Sequence, residues 1–63
     1  MIHVTLDGRD VNSLDLDDAR TLAEAVEMAV AAITASIADA APRRRTVAVR
    51  WHDGRRASRT ITA

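Results

Sequence analysis

Cysteine is absent from this 63-residue chain, so no disulfide framework can stabilise it and no thiolate is available to a zinc site. Phenylalanine and tyrosine are also missing and Trp51 stands alone, so aromatic packing cannot carry the core. With only Gly8 and Gly54, no glycine-rich loop exists to cradle a phosphate. The longest uncharged run, Met28 to Ala38, is well short of the ~18 apolar residues that suggest a membrane span, and no membrane partner is expected. Met1-Ile2-His3-Val4 shows no basic region followed by an apolar one, so no secretion signal is read there and a cytoplasmic location is the expectation. Lysine is missing too: all nine basic residues are arginine, only one Asn occurs, and alanine is the commonest residue. That pattern follows GC-rich codon usage.

What remains is enough for one domain and one small core. Thirteen of the thirty apolar residues are alanines, which bury little area each. Area scaling gives about 90 kcal/mol of hydrophobic stabilisation at ~25 cal/mol per Å², and ordering the chain costs roughly as much at ~1.5 kcal/mol per residue. A balance so close to zero points to oligomerisation as the missing stabiliser.

Ile2, Val4 and Leu6 alternate with His3 and Thr5, the period of a strand with one buried face. Asp7-Gly8 is a two-residue hairpin signal that pairs Val4 with Val11, making Arg9 to Val11 a short return strand. A helix is predicted to begin at Asp15 as N-cap, with Asp17 and Asp18 complementing the positive end of its dipole. Ala19, Leu22, Val26, Ala29, Val30, Ile33 and Ile37 form its core-facing stripe. Pro42 stops it near Asp39 or Ala40.

The last segment reads as a hairpin, Thr46 to Trp51 and Arg55 to Thr62. A three-residue loop, His52-Asp53-Gly54, places Val47, Val49, Trp51, Ala57 and Ile61 on one face, whereas a two-residue loop splits them. The expected fold is therefore α+β: a β(β)αββ domain over residues 1–63, with one long helix on a three- or four-stranded sheet. A right-handed crossover through the helix is expected to set the first strand parallel to the third.

A helix of about 24 residues is ~36 Å long, while six-residue strands span only ~20 Å, so the helix is expected to overhang its sheet. Its reverse face carries Ala25, Met28, Ala31, Ala32 and Ala35, with few charges after Glu27. The simpler account is alanine's helix propensity. Set beside the small core, the overhang makes these five residues the predicted oligomer interface.

Charge is sharply divided although the net is zero: residues 1–42 hold two Arg against eight acids, and residues 43–63 hold seven Arg against one. Arg43, Arg44, Arg45, Arg50, Arg55, Arg56 and Arg59 are the candidate nucleic-acid or anion-binding residues, since guanidinium groups bind phosphate bidentately. Two competing accounts are a solvated surface and a basic hairpin that meets the acidic helix start of another subunit. The three-residue loop would put Ala48, Arg50, Arg56, Ser58 and Thr60 on the outer sheet face and turn Trp51 toward the helix, as a core cap rather than a base-stacking platform.

His3 and His52 lack metal-ligand spacing, and Asp10, Asp15, Asp17 and Asp18 lack the glycine and distal Glu of an EF-hand. No spacing assembles Ser13, Ser36 or Ser58 with a His and an Asp into a nucleophile triad. No metal, cofactor or enzymatic activity is expected.

Leu14-Asp15-Leu16-Asp17-Asp18-Ala19-Arg20-Thr21-Leu22-Ala23-Glu24-Ala25-Val26 resembles a helix-start phrase of small uncharacterised proteins of actinobacteria and their phages. It spans thirteen residues and implies a setting, not an activity. The functional expectation is a small non-enzymatic homo-oligomeric interaction module, phage-encoded on that resemblance, that pairs with itself and docks on a macromolecular partner, another protein being one class of partner. The alternative is a nucleic-acid-binding protein using the Arg-rich hairpin.

Overall fold

The computed structural model describes residues 2–11, 14–37, 41 and 43–62. Strands β1 (His3–Leu6) and β2 (Arg9–Asp10) precede helix α1 (Leu22–Ser36), and strands β3 (Arg44–Arg50) and β4 (Arg56–Thr62) follow it. The fold is α+β, with one helix packed on a four-stranded antiparallel sheet of order β2-β1-β3-β4.

Each hairpin has the geometry its turn residues demand. Asp7 and Gly8 both adopt positive φ, 53° and 83°, as the two central residues of a turn matched to strand twist must. Leu6 pairs with Arg9, and the Val11 amide donates to the Val4 carbonyl at 2.9 Å, the register expected from the apolar pattern. At the second hairpin the Gly54 amide donates to the Trp51 carbonyl at 3.0 Å and the Trp51 amide to the Arg55 carbonyl at 2.7 Å. Gly54 sits at φ 90°, so the loop has three residues with a left-handed glycine, as the facing of Val47, Val49 and Ala57 requires.

Three expectations are corrected. First, β1 and β3 are antiparallel, His3 opposite Arg50 and Leu6 opposite Val47. The strand that feeds the helix is β2, so the parallel relation lies between β2 and β3, and β1 occupies the position between them.

Second, the helix starts at Leu22. Thr21, with extended φ and ψ of −136° and 162°, is its N-cap, and its Oγ1 accepts from the Glu24 amide at 3.1 Å. Asp15 instead closes a local turn, its Oδ1 accepting from the Asp17 amide at 3.0 Å, and the Ala19 amide donates to the Leu16 carbonyl. Thr21-Leu22-Ala23-Glu24 has the spacing of a capping box, which competes with Asp15 for the helix start. Starting late lets the turn press Leu16 and Ala19 into the core, where both are buried.

Third, among the described residues the helix does not overhang its sheet. Fifteen helical residues span about 22 Å and seven-residue strands about 23 Å. The helix ends at Ser36 with Ile37 as cap, the Ile37 amide donating to Ile33, and the expected stop at Asp39 or Ala40 lies outside the described residues.

The core is a single layer: Val4, Leu16, Ala19, Ala25, Val26, Ala29, Ile33, Val47 and Val49. Val47 and Val49 are the largest fully buried side chains, so β3 supplies the centre of the sheet and the centre of the core. Trp51, Ala57 and Ile61 pack at its rim.

Candidate nucleic-acid interface

Side chains alternate along a strand, so the burial of Val4, Val47 and Val49 under α1 sends their neighbours to the opposite side. No element among the described residues covers that side. It carries His3 and Thr5 from β1, Asp10 from β2, Arg44, Thr46, Ala48 and Arg50 from β3, and Arg56, Ser58, Thr60 and Thr62 from β4.

The register sets His3 opposite Arg50 and Arg50 opposite Arg56, giving a row of three basic side chains across three strands. The next row is Thr5, Ala48 and Ser58. Between the two rows lies an open cleft of about 230 Å³ lined by His3, Thr5, Ala48, Val49, Arg50 and Arg56. The small Ala48 side chain leaves room for it. His3 is oriented by Asp10, its Nε2 donating to Oδ1 at 2.7 Å. Arg50 and Arg56 have no carboxylate partner among the described residues. Like charges directly opposite across a strand pair destabilise a sheet by up to about 1 kcal/mol, and an anion in the cleft would relieve this.

The seven C-terminal arginines do not form one patch. Arg45 shares the facing of Val47, and its Nε donates to Asp7 Oδ2 at 2.7 Å while the Thr46 amide donates to Oδ1 at 2.9 Å. These contacts hold the Asp7 carboxyl below its ordinary range, the Thr46 amide contributing most and the Arg45 guanidinium next. Arg55 Nε donates to Asp53 Oδ2 at 2.7 Å within the loop. The Asp53 carboxyl is lowered mainly by the Arg55 amide and then by that side chain. Arg59 lies on the helix side and pairs with Glu27 of α1. Arg43 is exposed just before β3. Arg44, Arg50 and Arg56 are therefore the arginines of the open face. Arg44 and Arg50 are out of phase with Val47 and Val49 and Arg45 is in phase, while Arg59 is in phase with Ala57 and Ile61 and Arg56 is out of phase; this period-two facing is the sequence signal that separates these groups.

His3 was not among the residues expected at this site. Its facing was legible from Ile2, Val4 and Leu6, but its place beside Arg50 depends on which strand neighbours β1.

The residues expected at an oligomer interface are also divided. Ala25 is fully buried within its own core and cannot reach another chain. Met28 and Ala32 are half-buried and Ala31 exposed, and these three line an open groove of about 500 Å³ with Leu14, Asp15 and Leu16. Ala35 is exposed and does not line it. Trp51 is half-buried against the core and meets His52 edge-on, with ring centroids 4.8 Å apart.

Among the described residues no group of three His, Cys, Asp or Glu side chains is placed to hold a metal ion, and no helix is long and apolar enough to cross a membrane. No family model matches the chain, and neither curated proteins nor solved structures yield a match.

Proposed function

We propose that this chain is a small non-enzymatic docking module whose macromolecular partner is a nucleic acid, held by phosphate contacts on the open sheet face. The observation that carries this reading is the basic row of His3, Arg50 and Arg56 beside a cleft, without carboxylate compensation of the two arginines among the described residues. A sheet that needs only to stay folded gains nothing from opposing two arginines on a face that no described element covers. Arg44 extends the same face at the far end of β3.

Phosphate neutralisation releases counterions, so affinity depends steeply on salt. If Arg44, Arg50 and Arg56 each neutralise one phosphate, duplex affinity falls about 40-fold between ~50 and ~200 mM salt. Anisotropy of a labelled oligonucleotide measures this, and no saturable binding at the lower salt rejects the reading.

Self-association is the second reading, with a further copy of the chain as the partner. It draws on the apolar groove at Leu14, Leu16, Met28, Ala31 and Ala32, and it would supplement a core of only one layer. Ala32→Glu is expected to lower the mass measured by light scattering. An unchanged mass with unchanged stability removes this reading and leaves the first intact. An actinobacterial or phage setting, implied by the resemblance of residues 14–26, is compatible with either.

A further inference from the structure

We infer that the ligand of the open face is duplex DNA, gripped by its backbones on the two rims of a major groove. This rests on the phosphate-docking reading and goes further by naming the form of nucleic acid. Three features of the face favour the duplex.

The first is the spacing of charge. Arg44 and Arg50 stand at opposite ends of β3, six residues apart on the same face, which is about 20 Å at ~3.3 Å per residue. Arg56 and His3 join Arg50 at one end only. The charge is thus in two clusters separated along the strand, not in a continuous track. A major groove is ~12 Å wide between its sugar–phosphate rims, so arginines ~20 Å apart along the strand straddle it and meet both rims by leaning their long side chains inward.

The second feature is what lies between the clusters. Thr46 and Ala48 on β3, with Thr60 and Ser58 opposite them, are short and uncharged. They make a low saddle that lets the ends approach the rims. Their hydroxyls stop short of a groove floor ~8.5 Å deep, so recognition is by shape and phosphate and is independent of sequence.

The third is the lack of a stacking platform. Proteins that hold single strands combine a charged track with aromatic rings for successive bases. The chain has no Phe or Tyr, its one Trp packs against the core at the hairpin loop, and the one ring on the open face, the His3 imidazole, is tethered to Asp10. An RNA duplex fits less well, because its deep, narrow major groove brings the two rims too close together for arginines ~20 Å apart.

The test compares a short labelled DNA duplex, its separated strands and the RNA duplex of the same sequence, each titrated with the intact chain at low salt. The duplex DNA is expected to bind at least about tenfold more tightly than the others, and Arg44→Ala and Arg50→Ala should each reduce its log–log salt slope by about 0.9. Both residues are exposed, and a circular dichroism spectrum of each variant checks that it folds. Equal or tighter binding of single strands or RNA overturns the duplex inference while leaving phosphate docking in place. An unchanged slope in Arg44→Ala overturns the two-rim geometry. Failure of every oligonucleotide to bind overturns the docking reading itself.

Discussion

The two faces of the sheet are made from the same strands, residue by residue in alternation, yet they obey opposite rules. Under the helix, Val4, Val47 and Val49 exclude water, and the charged residues of β3 and β4 that share this side are each matched: Arg45 with Asp7 and Arg59 with Glu27. On the open side, Arg50 and Arg56 face each other with no carboxylate partner among the described residues. The covered face is arranged for stability and the open face tolerates repulsion. That contrast separates residues that hold the fold from residues free to meet a ligand.

Adjacent positions on β3 give the sharpest way to break the comparison. Val47→Asp places an unpaired carboxylate in the core and is expected to cost about 3–5 kcal/mol or more, enough to populate the unfolded state in a chemical melt. Ala48→Asp, one residue on, is expected to cost about 1 kcal/mol or less, while its charge beside Arg50 and Arg56 weakens oligonucleotide binding. Equal losses of stability at both positions would mean that the faces are not distinct.

A smaller effect tests where the helix begins. Thr21→Ala removes the cap that receives the Glu24 amide and should cost about 1 kcal/mol, whereas Asp15→Ala opens only a local turn and should cost less. The reverse order in urea melts would move the helix start back to Asp15.

Arg56→Thr should act in opposite directions on the two properties. Removing one of two opposed guanidinium groups is expected to raise stability by about 0.2–1 kcal/mol and to weaken nucleic-acid binding. A variant that loses stability would show that the row serves the fold.

The smallest effect is on acid sensitivity. The Asp7 carboxyl is held below its reference value of 3.8 by Thr46 and Arg45, so its ionised form favours the folded state. That contribution is present above the unfolded value and is lost as pH falls through the folded one. Asp7→Asn keeps a residue that tolerates the left-handed turn, so the gap in melting temperature between wild type and variant should be widest near neutral pH and close below about 4. A gap that is constant with pH would assign the effect to the turn instead of the charge.

Both hairpins were legible in the sequence because turn chemistry and period-two alternation agree: Asp7-Gly8 and Gly54 each fix a loop length that keeps Val4, Val47 and Val49 on one side. In the helix, three- and four-residue spacing made Val26, Ala29 and Ile33 legible as core, but not Ala25, which was expected on the reverse face and is fully buried. The helix start was not, because Asp15 and Thr21 are both acceptable caps, and the choice turns on the burial of Leu16, which is tertiary. Strand order was hidden more deeply. Whether β1 lies beside β3 is a matter of pairing across 39 residues, as in the bond from Thr46 to Asp7, and no local pattern encodes it. The candidate site inherits that limit: the outward facing of Arg50 and Arg56 is local, while the addition of His3 is not.

The position of β3 also orders events in time. It pairs with both β1 and β4 and brings Val47 and Val49 to the centre, so β1 and the helix leave the ribosome before the strand they both meet is made. At ~5–20 residues per second, the first hairpin and the helix must wait about a second or more as an acidic, half-built layer. The arrival of the arginine-rich strands then closes the sheet and cancels the charge in the same step.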